Sequence, residues 1–163
     1  MNLPNPLKLV VANSSQEFDD GRLLFQEYAN AINFEAGFQN FAAELKVLPE
    51  RYAPPDGALL LAYYNEIAVG CVAVLKMAPE VAELKRFYVQ PAFRQFKIGA
   101  KLLERAINQA KYLQFQAIRL EVIPSLTKAK ELYRSFGFLE IAPYQTVALE
   151  GTAYMEKKLS DDI

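Results

Sequence analysis

Arg94, Lys97 and Lys101 stand at the opening of the longest amphipathic segment of the chain, in a stretch (VQPAFRQFKIGAK, residues 89–101) that contains no acid. A helix N-terminus carries roughly half a positive charge and favours Asp or Glu, so three cations there cost ~0.3–1 kcal/mol each unless an anion joins them. An anion is therefore the natural missing partner. First-turn backbone N–H groups, close approach at Gly99 and the flanking cations together describe a phosphate cradle. On charge alone, a solvated basic turn reads the same way.

Acid and base chemistry must come from few residue types. The chain has no histidine and one cysteine, Cys71, which excludes Ser-His-Asp and Cys-His relays, an internal disulfide and the usual zinc sites. Glu, Asp, Lys, Tyr or bound water remain. Cys71, set among Val69, Val72 and Val74, reads as a small buried hydrophobe. Eighteen Lys and Arg against nineteen Asp and Glu leave a net charge of -1, so no global field favours nucleic acid or an anionic membrane. No apolar run reaches a membrane span, and residues 1–8 carry two prolines without a signal-peptide core, so a cytoplasmic protein is expected.

The elements that must position these groups follow from periodicity. The length of 163 residues and a hydrophobic share of 52% predict a single domain over residues 1–163 with a real core. Strands are expected over residues 8–12, 58–64, 67–76, 83–89, 117–123, 138–142 and 152–159. Helices are expected near 15–33, 38–48 with Pro49 ending it, 95–113, and 127–136 closed by Gly137. Asn65 and Glu66 join two strands as a hairpin turn without the favoured Asn-Gly pair.

Two blocks in this order resemble the GNAT superfamily of acetyl-CoA-dependent N-acyltransferases. The first is Val89 and Pro91 followed by Arg94-Gln95-Phe96-Lys97-Ile98-Gly99, similar to the family's Arg/Gln-x-x-Gly-x-Gly/Ala after V-x-P. The second is Ala129 to Phe138, similar to A-x-x-L-Y-x-x-x-G-F. Lys97 stands where the first glycine usually lies, and Leu126 where many members have an asparagine. The resemblance implies an α/β (α+β) fold with a mixed, mostly antiparallel sheet flanked by helices and splayed at the acyl-CoA site.

It also implies acetyl-CoA as co-substrate, with no metal, held by Phe87, Tyr88 and Val89 through backbone groups and by Arg94, Gln95, Phe96, Lys97, Ile98, Gly99, Ala100 and Lys101 around the pyrophosphate. Tyr133 matches the family's tyrosine near the cofactor sulfur, where a phenol near ~10 and a thiol near ~8.5 can share a proton. An amine acceptor must lose a proton before it attacks; Glu83 is the leading base, Glu121 the second, with water the other route. Tyr28, Phe34, Phe38 and Phe41 could line an acceptor pocket or simply form core. The expected reaction is direct transfer to an unidentified amine, with a homodimer expected only by resemblance. A non-catalytic acyl-CoA-binding or regulatory module is the rival reading, separated by whether amines elicit thiol release.

Overall fold

The computed structural model describes residues 5–32, 40–145 and 150–159, in which the predicted strands form one seven-stranded sheet between two sets of helices. In chain order the elements are β1 (Leu7–Val11), α1 (Ser15–Ala31), α2 (Phe41–Lys46), α3 (Leu48–Arg51), β2 (Gly57–Tyr64), β3 (Ile67–Ala78), β4 (Val81–Val89), α4 (Ile98–Tyr112), β5 (Ala117–Val122), α5 (Thr127–Ser135), β6 (Leu139–Ile141) and β7 (Ala153–Lys158), with a 3-10 helix over Pro91–Phe96. The strand order is β1-β2-β3-β4-β5-β7-β6, and every pairing is antiparallel except β4 with β5.

Each face of the sheet buries its own core. Leu60, Val72, Leu84, Leu102, Leu103 and Ile118 pack on the α4 side; Phe25, Leu48, Tyr52, Leu59, Leu61 and Ala73 pack on the side of α1 and α3. This double cover is why β2 reads as an almost unbroken apolar run rather than an alternation. Among the described residues, no helix is long and apolar enough to cross a membrane.

Local signals explain most boundaries. Ser14 accepts the Glu17 N–H at 3.2 Å, and the Glu17 carboxylate accepts the Asn13 N–H at 2.8 Å, which starts α1 where the sequence places it. Two expectations shift. Pro49 lies in the first turn of α3, which begins at Leu48, instead of ending a helix, because proline lacks only an N–H that the first turn leaves unbonded. The long helix starts at Ile98 rather than Gln95, since residues 91–96 coil as the 3-10 helix. At the β2–β3 turn both Asn65 (φ 49°) and Glu66 (φ 69°) take the left-handed conformation that the tight hairpin demands.

β4 and β5 share only the pairs Val81–Ala117, Ala82–Ile118 and Glu83–Arg119. β4 then continues to Val89 and β5 to Val122 without further pairing, so the sheet forks, with Glu83 at the vertex.

Candidate active site

The far arm of the fork is bent by a bulge. Ala73 of β3 pairs with Lys85 and Cys71 with Tyr88, so three steps along β4 match two along β3, and Arg86 adopts φ 58°. The extra residue reverses the alternation. Lys85 and Tyr88 face the α1 side, while Phe87 and Val89 join the α4-side core. A left-handed arginine is unfavourable by ~1–2 kcal/mol. Its guanidinium is engaged by Glu44 of α2, whose two carboxylate oxygens accept from Arg86 Nε at 3.1 Å and Nη2 at 2.9 Å. Tyr52 also donates to Glu44 at 3.1 Å, and Phe41 lies under the guanidinium with its centroid 5.7 Å away.

The segment expected to cradle an anion lies against this arm. Lys97 precedes α4 at φ 60°, no side chain caps the helix, and its first turn holds no acid. The Lys101 N–H already bonds the Lys97 carbonyl, so the amides of Ile98, Gly99 and Ala100 are the orphan donors at this end. The family glycine that Lys97 replaces would meet φ 60° freely; here a lysine carries it. Ile98 is buried, so only its backbone can serve a ligand, while Lys97 and Lys101 are exposed and Gly99 and Ala100 half-buried. Arg94 is partly committed: its Nε donates to the Val89 carbonyl at 2.9 Å. Gln95 is exposed, and Phe96 stacks on Tyr64 with centroids 5.1 Å apart. These groups fit a pyrophosphate, since they present donors and cations with no competing carboxylate.

Tyr133 is set by the turn that follows it. The Gly137 N–H bonds the Arg134 carbonyl and the Phe138 N–H bonds the Tyr133 carbonyl, at 3.0 and 3.1 Å, with Gly137 at φ 93°. This is a Schellman closure, and its customary apolar contact is the Tyr133–Phe138 ring pair at 5.7 Å. Leu126, at the other end of α5, caps nothing and packs on the core. The ring of Phe87 lies 6.0 Å from that of Tyr133, and its Cζ is 3.4 Å from where a Cβ on Gly99 would stand. One β4 side chain thus touches both the cradle and the tyrosine. Burial, with Tyr28 second, pushes the Tyr133 hydroxyl well above the usual tyrosine range. At neutral pH it is a protonated donor, better suited to hydrogen bonding than to giving its proton away.

On the α1 side the strands gather carboxylates. Register pairs Glu83 with Arg119, Arg119 with Glu156, and Glu121 with Tyr154, all on the face opposite Ala82, Leu84, Ile118 and Leu120. Glu121 therefore shares a face with Glu83, the point that the sequence left open. Tyr144 donates to Glu83 Oε2 at 3.1 Å, and Lys85 Nζ lies 3.8 Å from Glu83 Oε1. Arg119 is held by Glu156 at 2.7 Å. Glu121 Oε1 and the Tyr154 hydroxyl are buried without a hydrogen-bond partner among the described residues. Burial first, and then the Glu83 charge, raise the Glu121 carboxyl above its ordinary value. Tyr28 of α1 reaches the same region: its ring lies 5.9 Å from Tyr88, and burial pushes its hydroxyl up to about 12.

The arrangement can thus bind an extended phosphorylated chain along the fork and present two carboxylates to a proton on the far side. Sequence reasoning missed Arg86, Glu44, Tyr144, Tyr154 and Lys85. Glu44 looks like an ordinary helix-surface residue, and nothing local marks Arg86 as left-handed; the alternation of Glu83 and Lys85 on one strand was the one available signal. Phe41 serves the core, whereas Phe34 and Phe38 lie outside the described residues.

Residues 23–138 match the model of the acetyltransferase (GNAT) family. An uncharacterized N-acetyltransferase of Schizosaccharomyces pombe is 33% identical over 162 residues, covering 98% of this chain and 99% of that protein. Among solved structures, a GNAT-family acetyltransferase from Staphylococcus aureus superposes with a TM-score of 0.76 at 22% identity, over 94% of this chain and 99% of that one. A protein from Salmonella typhimurium, solved with its cofactor acetyl-CoA, gives a TM-score of 0.72 at 17% identity, over 97% and 96% of the two chains.

Proposed function

The chain belongs to the GNAT family of acetyltransferases, and from that membership we propose that it transfers an acetyl group directly from acetyl-CoA to a primary amine at the fork between β4 and β5. The observation that carries this reading is the fork itself, closed at Glu83 and ending beside the uncapped, acid-free start of α4.

When bound, acetyl-CoA supplies an acyl carbon activated as a thioester. The amides of Ile98, Gly99 and Ala100, with Arg94, Lys97 and Lys101, hold the pyrophosphate, and Gln95 and Phe96 border it. The backbone of Phe87, Tyr88 and Val89 does not pair with β5, and its groups there, apart from the Val89 carbonyl that accepts from Arg94, offer hydrogen bonds to pantetheine amides as an added strand would. Backbone amides beside the bulge polarise the acyl carbonyl in this reading. The acceptor arrives as an ammonium, and Glu83 or Glu121, directly or through water, takes its proton. Among the described residues Glu121 has an unpartnered oxygen for this, while Glu83 is engaged by Tyr144. The Tyr133 hydroxyl, a protonated donor, donates to the departing sulfur.

Thiol release from acetyl-CoA, measured across a panel of primary amines with mass detection of the acetylated product, tests the proposal. Amine-dependent release is expected. Coenzyme A binding without any release would identify a binding module instead, and absence of both would remove the reading.

A further inference from the structure

We propose that Lys85 is an internal acetyl acceptor: when no external amine occupies the fork, its Nζ takes the acetyl group from acetyl-CoA. The inference rests on the proposed function, and its own support is the position of this amine. Lys85 lies on β4 two residues beyond the fork vertex at Glu83 and one before the bulge at Arg86. Its side chain is 18% exposed and shares the face of Glu83 and Tyr88. An amine attached to the cofactor strand on the acceptor side, next to a carboxylate, reproduces what an incoming substrate must bring.

The charges around it leave the amine loosely held. Glu83, Glu44 and Glu121 are the acids that act on it or lie beside it, and Arg86 and Arg51 the cations. Of these acids, Glu44 is taken by Arg86, and the contact with Glu83 is 3.8 Å, against 2.7 Å for the Arg119–Glu156 pair. Burial first, and then Arg86, lower the proton affinity of Lys85 below the ordinary lysine range, which increases the neutral amine available for attack. The step balances without another reactant. Nζ gives its lone pair to the acetyl carbon, a C–N bond forms and the C–S bond breaks. One proton passes from nitrogen to Glu83 or water, coenzyme A departs as the thiolate, and that same proton, returned from Glu83 or water, converts it to the thiol. The product is a stable amide on Lys85, which removes a charge from the acceptor side and blocks it.

The test is incubation of the whole protein with acetyl-CoA and no amine, followed by intact-mass analysis and peptide mapping. Acetylation at Lys85 is expected to outpace that at exposed Lys46 and Lys111 by tenfold or more, and to be suppressed by excess coenzyme A. Lys85→Arg should lose that label while keeping its melting temperature. Lysine titration by NMR, without any coenzyme A, should show Lys85 deprotonating below the ordinary range. An unlabelled Lys85 in a protein that binds coenzyme A by calorimetry overturns the proposal and leaves the proposed function standing. Labelling no faster than at the exposed lysines, or insensitive to coenzyme A, overturns it equally. Failure to bind coenzyme A removes the proposed function and this inference with it.

Discussion

Arg86, at the left-handed kink of β4, donates to both carboxylate oxygens of Glu44 on α2, at 3.1 and 2.9 Å. The pair ties the helix on the acceptor side to the bulge of the strand expected to carry the cofactor. Side-chain exposures of 13% and 7% place both partners out of bulk water. Removing one partner of such a pair leaves an uncompensated buried charge.

Glu44→Ala is therefore expected to destabilise the protein by ~3–5 kcal/mol. Urea unfolding measures it, with Glu140→Ala, on an exposed ion pair with Lys130 and Arg134, as a comparison that should change far less. Hydrogen exchange at residues 84–89 should quicken in the Glu44 variant, and unchanged exchange there would show that the bulge holds without it.

The cradle gives a binding prediction. Gly99→Leu should weaken coenzyme A strongly in calorimetry, because the side chain fills the approach to the helix N-terminus and presses on Phe87. Gly99→Ala, whose Cβ would make only ordinary contact 3.4 Å from Phe87, keeps the fold intact as a milder comparison. Arg94→Ala should cost less, and its effect should shrink at high salt, since the contact is a screened charge. Wild-type affinity in folded Gly99→Leu would sink the pyrophosphate assignment.

The two carboxylates can be ranked by pH. A base must be deprotonated to act, so the rate falls as pH drops through its pKa. The negative charge of Glu83 raises the Glu121 carboxyl, and Glu83→Gln removes that charge. If Glu121 is the base, the acidic limb of the kcat/KM profile moves to lower pH in Glu83→Gln and disappears in Glu121→Gln. If Glu83 is the base, Glu83→Gln abolishes the limb and lowers turnover more than it raises the KM for acetyl-CoA.

Tyr133→Phe should leave folding and coenzyme A binding nearly intact, because the ring contacts with Phe87 and Phe138 survive. Single-turnover thiol release is expected to slow, by ~10²–10⁴-fold if the hydroxyl protonates the leaving group in the transition state. Burial favours the hydrogen-bonding role, so a loss nearer ~tenfold would mark a donor that keeps its proton. An unchanged rate would exclude any chemical part for it.

Much of the site was legible because it is made by short segments. Val89 to Lys101 carries its own cations, its glycine and the proline that stops β4, and Ala129 to Phe138 contains both Tyr133 and the Gly137-Phe138 turn that fixes it. Charge at a helix start and a glycine at a helix end act over a few residues, so both can be read along the chain. Apolar periodicity likewise marked the strands and the long helix.

Contacts that cross the sheet come from packing between distant segments. Glu83 became the vertex of a fork because β5 pairs with just three residues of β4, and Glu121 joined it because strand register put both on one face. Arg86 occupies a left-handed position where Glu44, forty-two positions away, meets its guanidinium. Lys97 shows the same logic in reverse: a residue at the wrong conformation for its type persists where the surrounding loop and helix hold it. Such arrangements depend on partners brought together by folding, and burial then changes the proton affinities of the groups it encloses. Neither effect is written in the spacing of residues along the chain.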